Sequence, residues 1–267
     1  MGSAQLNPPN GVHIMEHATG YADSTNGCAG RPPPKGGPCQ RRLIVLEGEV
    51  GAGKSTLGTL LTESLRRRGF NVRLILEPVD RWRTILPLFY ADPARFAFTF
   101  QTLVNLTLMK KISAVWDSDP HADVYILERS PASGAIFLEL QRGVVDPAEM
   151  QLYADEWHDA WRTLLPINLA DAQVLYLRPS IEVCMARIES RMRPGEGGVK
   201  LAYLVALRRA HEAFLLGRHR DEYPLMLPCP YKSVTVLGPD YADMDFRVVR
   251  GEPPIITAIL RQIFDIA

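Results

Sequence analysis

The chain has few cysteines and no pattern among them. Cys28, Cys39, Cys184 and Cys229 form no C-x-x-C pair and stand at no zinc-ligand spacing to any of the six histidines. A zinc framework is therefore not expected, and reduced thiols are. Long apolar runs are also missing. None approaches the ~20 residues that a bilayer helix needs, so no membrane partner is expected. Neither sign of charge dominates, because 30 Lys and Arg balance 30 Asp and Glu. A dedicated nucleic-acid binder would carry a basic excess, so no nucleic-acid partner is expected, and an anionic small molecule would need a local cluster of cations. The N-terminus lacks a hydrophobic signal core. It has no arginine before Arg31 and contains Glu16 and Asp23, which does not favour a mitochondrial transit peptide. The expected compartment is the cytoplasm, with the mitochondrion or a viral host-cell nucleus left open.

What remains is the profile of a globular enzyme. The 267 residues, 46% hydrophobic and 22% charged, suit one α/β domain of ordinary size. Residues 1–40 are set apart by Gly, Pro, Asn and Ser, with Pro32-Pro33-Pro34 and Gly36-Gly37-Pro38 near the junction. Such a stretch buries too little apolar surface to offset its ordering entropy, so 1–40 reads as a disordered tail and 41–267 as the folded domain. Five nearly continuous apolar runs read as buried parallel strands: Leu43–Leu46, Val72–Leu76, Val124–Leu127, Val174–Leu177 and Ser233–Leu237. Helical spacing fills the gaps, at Lys54–Arg68 (stripe Leu57, Leu60, Leu61, Leu65, stop at Gly69), Met150–Leu165 and Val199–Leu216. This alternation implies a doubly wound parallel sheet.

Directly after the first run comes Gly48-Glu49-Val50-Gly51-Ala52-Gly53-Lys54-Ser55-Thr56, a full G-x-x-x-x-G-K-S string. Its glycines let the backbone curl so that amides point at phosphate oxygens, and the following helix adds its positive end. In this motif the lysine, Lys54, reaches the β- and γ-phosphates, and the hydroxyl of Ser55 ligates Mg²⁺. The bland alternative, a glycine-rich turn joining strand to helix, does not account for the lysine and serine. No N-K-x-D string or strand-borne D-x-x-G element accompanies the loop, which argues against a GTPase. Small-molecule kinases remain, and these need an acceptor site and a lid.

Four stretches can fill those roles: Glu77-Pro78-Val79-Asp80-Arg81-Trp82; Tyr90-Ala91-Asp92-Pro93 with Phe98-Thr99-Phe100-Gln101; Glu128-Arg129-Ser130; and the run from Arg187 through Arg191 and Arg193 to Glu196. In this order, over about Arg41 to Leu237, they resemble the deoxynucleoside kinase family, which spans mitochondrial-type thymidine kinase, the insect multisubstrate kinase and herpesviral thymidine kinases. The resemblance implies a P-loop kinase fold: a five-stranded parallel sheet, helices on both faces and an arginine-bearing lid. It further implies ATP and Mg²⁺ as cofactors, a deoxynucleoside as the small-molecule partner, and a homodimer.

The same resemblance assigns roles. Glu77, at the end of a strand where α/β folds bind ligands, would be the base that takes the proton of the 5′-hydroxyl. Arg129 would steady the 5′-oxygen, and Glu128 would share Mg²⁺ with Ser55. Trp82, Phe100, Val104 and Phe137 would line the base pocket, Phe137 by stacking, while the amide of Gln101 reads the base. Tyr90 and Glu196 would grip the 3′-hydroxyl. Arg187 and Arg191, four apart on one helical face, and Arg193 would close on the phosphates as a lid. Relatives that favour deoxycytidine or purines carry an arginine seven residues after the glutamine and an aspartate after E-R-S. Here Leu108 holds the first position and Pro131-Ala132-Ser133-Gly134 follows the second, so thymidine or another pyrimidine deoxynucleoside is the expected substrate. The rival readings are a thymidylate or other nucleoside-monophosphate kinase, which would normally read R-E-P-G-G-T where this chain has Leu76-Glu77-Pro78-Val79, and a non-catalytic P-loop nucleotide-binding protein.

Overall fold

The computed structural model describes residues 12–16, 41–193, 196–224, 226–246 and 251–266. Among the described residues, six strands form one sheet: β1 Val12–Glu16, β2 Arg42–Gly48, β3 Val72–Ile75, β4 Val124–Glu128, β5 Gln173–Leu177 and β6 Ser233–Leu237. Their spatial order is β1-β6-β5-β2-β4-β3. The last five are mutually parallel and coincide with the five apolar runs. Their composition explains why: successive residues of a strand point to opposite faces, and both faces are covered. Leu43, Val45, Tyr125, Leu127, Val174 and Tyr176 enter one core, while Ile44, Leu46, Val124, Ile126, Leu175 and Leu177 enter the other.

The tail expected over 1–40 contributes the sixth strand. Val12-His13-Ile14-Met15-Glu16 pairs antiparallel with β6, Val12 opposite Leu237 and Glu16 opposite Ser233. An edge strand leaves a row of backbone donors and acceptors open, and β1 occupies the row offered by β6. Composition alone hid this segment, since its partner lies more than 200 residues away in the sequence. The rest of the expected tail lies outside the described residues.

Ten helices are described: α1 Lys54–Arg67, α2 Leu86–Ala91, α3 Pro93–Ser118, α4 Gly134–Glu139, α5 Pro147–Leu152, α6 His158–Leu164, α7 Ile181–Arg191, α8 Leu201–Leu216, α9 Pro239–Ala242 and α10 Pro254–Phe264. Helix α1 packs Leu57, Leu61 and Leu65 beneath the sheet, beside Ile256, Ile259 and Leu260 of α10. The opposite face is covered by Leu108 and Ile112 of α3 and by Leu207 and Phe214 of α8. The single helix expected over Met150–Leu165 is instead α5 and α6 joined by a π-helical turn at Tyr153–Trp157. Among the described residues, no helix is long and apolar enough to cross a membrane. The central strand β2 is flanked by β4 on one side and β5 on the other, so the chain leaves it in two directions. The carboxyl ends there form the crevice in which sheets of this type take ligands.

Candidate active site

The loop after β2 is shaped by three glycines. Gly48, Gly51 and Gly53 have φ of 146°, 83° and 96°, a region that L side chains rarely enter. At two of them a side chain would also collide with backbone. A Cβ on Gly48 would fall 2.5 Å from the Leu177 carbonyl oxygen, and one on Gly51 would fall 2.5 Å from that of Cys184. Gly53 starts α1 without a side-chain cap, and the first turn carries no acidic residue. A helix start with uncapped N–H groups is an anion site by construction. Lys54 closes the loop from inside, its Nζ donating to the carbonyls of Gly48 at 3.1 Å and Glu49 at 3.0 Å. Val50 and Ala52 are packed inward, whereas Thr56 is exposed.

The acidic members of the crevice stand around one arginine. Arg129 follows β4 in the left-handed region, φ 61°, a conformation that costs a non-glycine residue energy and that its surroundings must enforce. Its backbone N–H donates to the Leu46 carbonyl at 3.0 Å. Its guanidinium lies 2.9 Å from Glu77 Oε1 and 3.6 Å from Glu47 Oε2, and donates to the Gly48 carbonyl at 3.0 Å. Glu128, the last residue of β4, accepts from Ser55 Oγ at 2.7 Å and from the Glu77 backbone N–H at 3.4 Å. Lys111 Nζ donates to the Leu76 carbonyl at 2.7 Å and so pins the segment that delivers Glu77. Three carboxylates and two cations thus meet over the ends of β2, β3 and β4.

Burial dominates the titration of this cluster. It pushes the Glu77 carboxyl above its ordinary range, Arg129 pulls it back and Glu128 pushes it further up. Lys54 is lowered by burial and then by Arg129, with Glu77 opposing. Lys54 and Arg129 both donate to the Gly48 carbonyl and Arg129 contacts Glu77, which sets Glu77 on the same side of the sheet as Lys54. A carboxylate of raised pKa is a stronger base, provided that it remains ionised at the working pH.

Beside Glu77 lies an aromatic wall. Trp82 is buried, its Nε1 donating to Thr107 Oγ1 at 2.9 Å, and it meets Phe100 edge-on at 6.1 Å. Phe100 stacks on Phe89 at 5.0 Å. Val104 packs against the same cluster. Gln101, only 5% exposed, shares a hydrogen-bonded group with Asn105 and Tyr153. Phe137 departs from its expected stacking position. It packs with the other core, and the Arg129 guanidinium sits 4.4 Å above its ring. Leu138, the next residue, is the one that joins the Trp82 cluster; because the two follow each other on α4, they face different sides.

On the far side of the crevice, Arg191 donates two bonds of 2.7 Å to Glu196, and Arg193 adds one of 3.3 Å. Burial raises the phenol of Tyr90, and Tyr203 and Glu196 add to this; a Cβ on Gly198, two residues after Glu196, would lie 4.0 Å from Tyr90 Cβ. Arg193 is close enough to lower Glu77. Arg187 behaves differently from its two neighbours, donating to the carbonyls of Ala52, Ala242 and Met244 at 2.8–3.1 Å. It braces the phosphate loop against the segment after β6. Pro194 and Gly195, between the arginines and Glu196, lie outside the described residues.

Several side chains that shape the site belong to none of the sequence motifs. Glu47 is fully buried and accepts from Ser133 Oγ. His211 holds Arg129 from behind. Its Nδ1 faces the Leu207 carbonyl at 2.8 Å and its Nε2 faces Arg129 at 3.4 Å, and burial followed by Arg129 keeps it well below the ordinary imidazole range and neutral. Arg208 holds the Glu49 carboxylate with bonds of 3.0 and 3.2 Å, joined by the Tyr176 hydroxyl at 2.9 Å. A signal existed for Glu47, a lone acid directly after the apolar run Leu43–Leu46. None existed for His211 or Arg208, whose partners are distant in the chain. Cys184 lies under the loop with its thiol pushed up by burial to about 12, which removes it as a nucleophile.

The chain resembles known proteins over most of its length. The deoxynucleoside kinase family model matches residues 44–261. A probable deoxycytidine kinase of fowlpox virus is 33% identical over 188 residues, covering 68% of this chain and 75% of the relative. Human mitochondrial thymidine kinase 2 is 30% identical over 193 residues, 69% of each chain. A thymidine kinase of ictalurid herpesvirus 1 is 34% identical over 181 residues, 65% of this chain and 74% of the viral one. The matched span contains the phosphate loop, Glu77, Gln101, the Glu128–Arg129 pair and the arginine run together, and on that extent the chain belongs to the deoxynucleoside kinase family.

Proposed function

We propose that this kinase transfers the γ-phosphate of ATP to the 5′-hydroxyl of a pyrimidine deoxynucleoside, with thymidine preferred. The observation that carries the reading is Glu77, a partly buried carboxylate whose pKa is raised by desolvation, set between Arg129 and Glu128 on the Lys54 side of the sheet. There Glu77 accepts the proton of the attacking hydroxyl, and Arg129, 2.9 Å away, orients the carboxylate and the 5′-oxygen. Lys54 exchanges its loop carbonyls for β- and γ-phosphate oxygens. Arg191 and Arg193 neutralise the charge that spreads over the transferring group, which is the main catalytic demand of a loose phosphoryl transition state. The Ser55 hydroxyl and the Glu128 carboxylate, 2.7 Å apart, form a hard oxygen pair of the kind that holds Mg²⁺ beside phosphates. An ion held by Ser55 and Glu128 would supply positive charge to the phosphates.

The thymidine preference rests on what faces the base. Val104 carries no charge, and Gly134 presents no side chain where a carboxylate would favour an amino-bearing base; Leu108, at the position of the relatives' arginine, packs into the sheet core. The relatives' names include both deoxycytidine and thymidine kinases and do not decide the point. The deciding experiment assays the four deoxynucleosides and thymidine monophosphate with ATP and Mg²⁺. Thymidine is expected to give the highest kcat/KM. Turnover of the monophosphate alone overturns the reading in favour of a nucleoside-monophosphate kinase.

A further inference from the structure

We infer that Asn105 and Tyr153 set the base preference by fixing which end of the Gln101 carboxamide faces the nucleoside. The inference rests on the reading of Gln101 as the base-contacting residue and adds two positioning residues to it. Asn105 lies one helical turn after Gln101 on α3, so both point to the same side. Its Oδ1 accepts from Gln101 Nε2 at 3.2 Å. Tyr153 enters from the π-helical turn between α5 and α6, and its hydroxyl accepts from Gln101 Nε2 at 3.5 Å and from Asn105 Nδ2. All three side chains are at most 5% exposed. Two protein acceptors therefore face the Gln101 amide nitrogen. Among the described residues, Oε1 accepts from no protein donor.

Gly134 makes the arrangement possible. A Cβ at that position would lie 2.0 Å from the Tyr153 hydroxyl and 2.8 Å from both Asn105 Oδ1 and Gln101 Nε2. The absence of a side chain after E-R-S-P-A-S leaves room for the phenol to reach the amide. Burial raises the Tyr153 phenol well clear of neutral pH, so the hydroxyl stays uncharged while the enzyme works.

The consequence for recognition is chemical. A carboxamide whose nitrogen is held inward offers the base an acceptor, and thymine or uracil presents N3–H to it in the middle of the pairing edge. Cytosine presents a bare N3 there, which that oxygen repels unless the base shifts to use its amino group or the amide turns over. Freeing Nε2 restores the second option. The Tyr153–Asn105 pair thus favours a base that donates from N3.

The test compares steady-state kinetics of wild type, Tyr153→Phe and Asn105→Ala with thymidine and deoxycytidine at saturating ATP and Mg²⁺. Wild type is expected to prefer thymidine. Tyr153→Phe, which removes a single oxygen, should lower the thymidine-to-deoxycytidine ratio of kcat/KM about tenfold, expressed in KM, with kcat for thymidine within about twofold. Asn105→Ala should shift the ratio the same way; should it fail to fold, Tyr153→Phe carries the test. An unchanged ratio in Tyr153→Phe, or an equal loss on both nucleosides, overturns the inference and leaves the kinase reading intact. If the unmutated enzyme phosphorylates neither nucleoside, the reading of the site falls, and the inference with it.

Discussion

The two ends of the crevice are built by different means. The phosphate end is nine consecutive residues whose backbone does the work: glycines set the curve, and a helix start supplies uncapped N–H groups. The proposed acceptor end is assembled from side chains on separate elements, with Glu77 after β3, Glu128 and Arg129 at the end of β4, Gln101 on α3, Tyr153 on the π turn and His211 on α8. Backbone sites tolerate many side chains but no misplaced Cβ. Side-chain sites tolerate backbone variation but depend on buried partners that hold each group at its pKa and orientation. The sharpest way to separate the two is Glu77→Gln. The amide keeps an oxygen for Arg129 but cannot accept the proton, and a general base contributes roughly 10²–10⁴-fold. We expect kcat to fall by about that factor while ATP binding, measured by calorimetry, stays within about twofold. In the wild type, the acid limb of kcat/KM should lie above the ordinary carboxylate range, because burial raises Glu77; the variant should lose that limb. Full activity in Glu77→Gln would remove Glu77 as the base.

The converse substitution acts on the phosphate end. Gly51→Ala imposes a φ of 83° on a residue with a Cβ and drives that carbon to 2.5 Å from the Cys184 carbonyl and 3.1 Å from Ile188 Cγ1. The left-handed conformation alone costs ~1–2 kcal/mol, and the loop or the first turn of α7 must also move. We expect kcat/KM for ATP to fall at least tenfold and the melting temperature to drop, with nucleoside affinity in the absence of ATP nearly unchanged. Equal losses of affinity for both ligands would show that the two ends are not separable.

The same contrast governs what could be read from the sequence. The parallel strands fall within a residue or two of the apolar runs, and α1 begins at Lys54, because period and composition encode local structure. Strand β1 is not legible that way, since Val12–Glu16 becomes a strand only by meeting β6. Nor is the π turn at Tyr153–Trp157, as helical spacing shows that a segment coils but not where its ladder slips. The site divides along the same line. The phosphate loop is contiguous and legible as chemistry, whereas the roles proposed for Glu77, Arg129 and Gln101 come through the family resemblance. The neutral His211 behind Arg129 and the Tyr153 hydroxyl on Gln101 come from sequence positions 82 and 52 residues from their partners, and no local pattern announces such pairs. Asn105 was within reach, one turn from Gln101 on the same face. The expected role of Phe137 rests on counting from E-R-S, and a count cannot tell which side of α4 meets the pocket.

The smallest effect that still separates the two ends is expected at Trp82. Its indole is buried, meets Phe100 edge-on and donates to Thr107 Oγ1 at 2.9 Å. In Trp82→Phe that hydrogen bond disappears, but Thr107 Oγ1 is left with the Leu103 carbonyl at 2.7 Å, so its hydroxyl is not orphaned. The cost is therefore the ordinary one of a satisfied hydrogen bond, about 1 kcal/mol, plus the poorer packing of a smaller ring. None of the Trp82 partners lies in Gly48–Thr56. We expect the KM for the nucleoside to rise a few-fold, the KM for ATP to stay within error, and kcat to change by less than twofold, since Glu77 and Arg129 keep their 2.9 Å contact. A rise in the KM for ATP to match that for the nucleoside would mean that the aromatic wall supports the phosphate loop as well, through a coupling that none of its direct interactions contains.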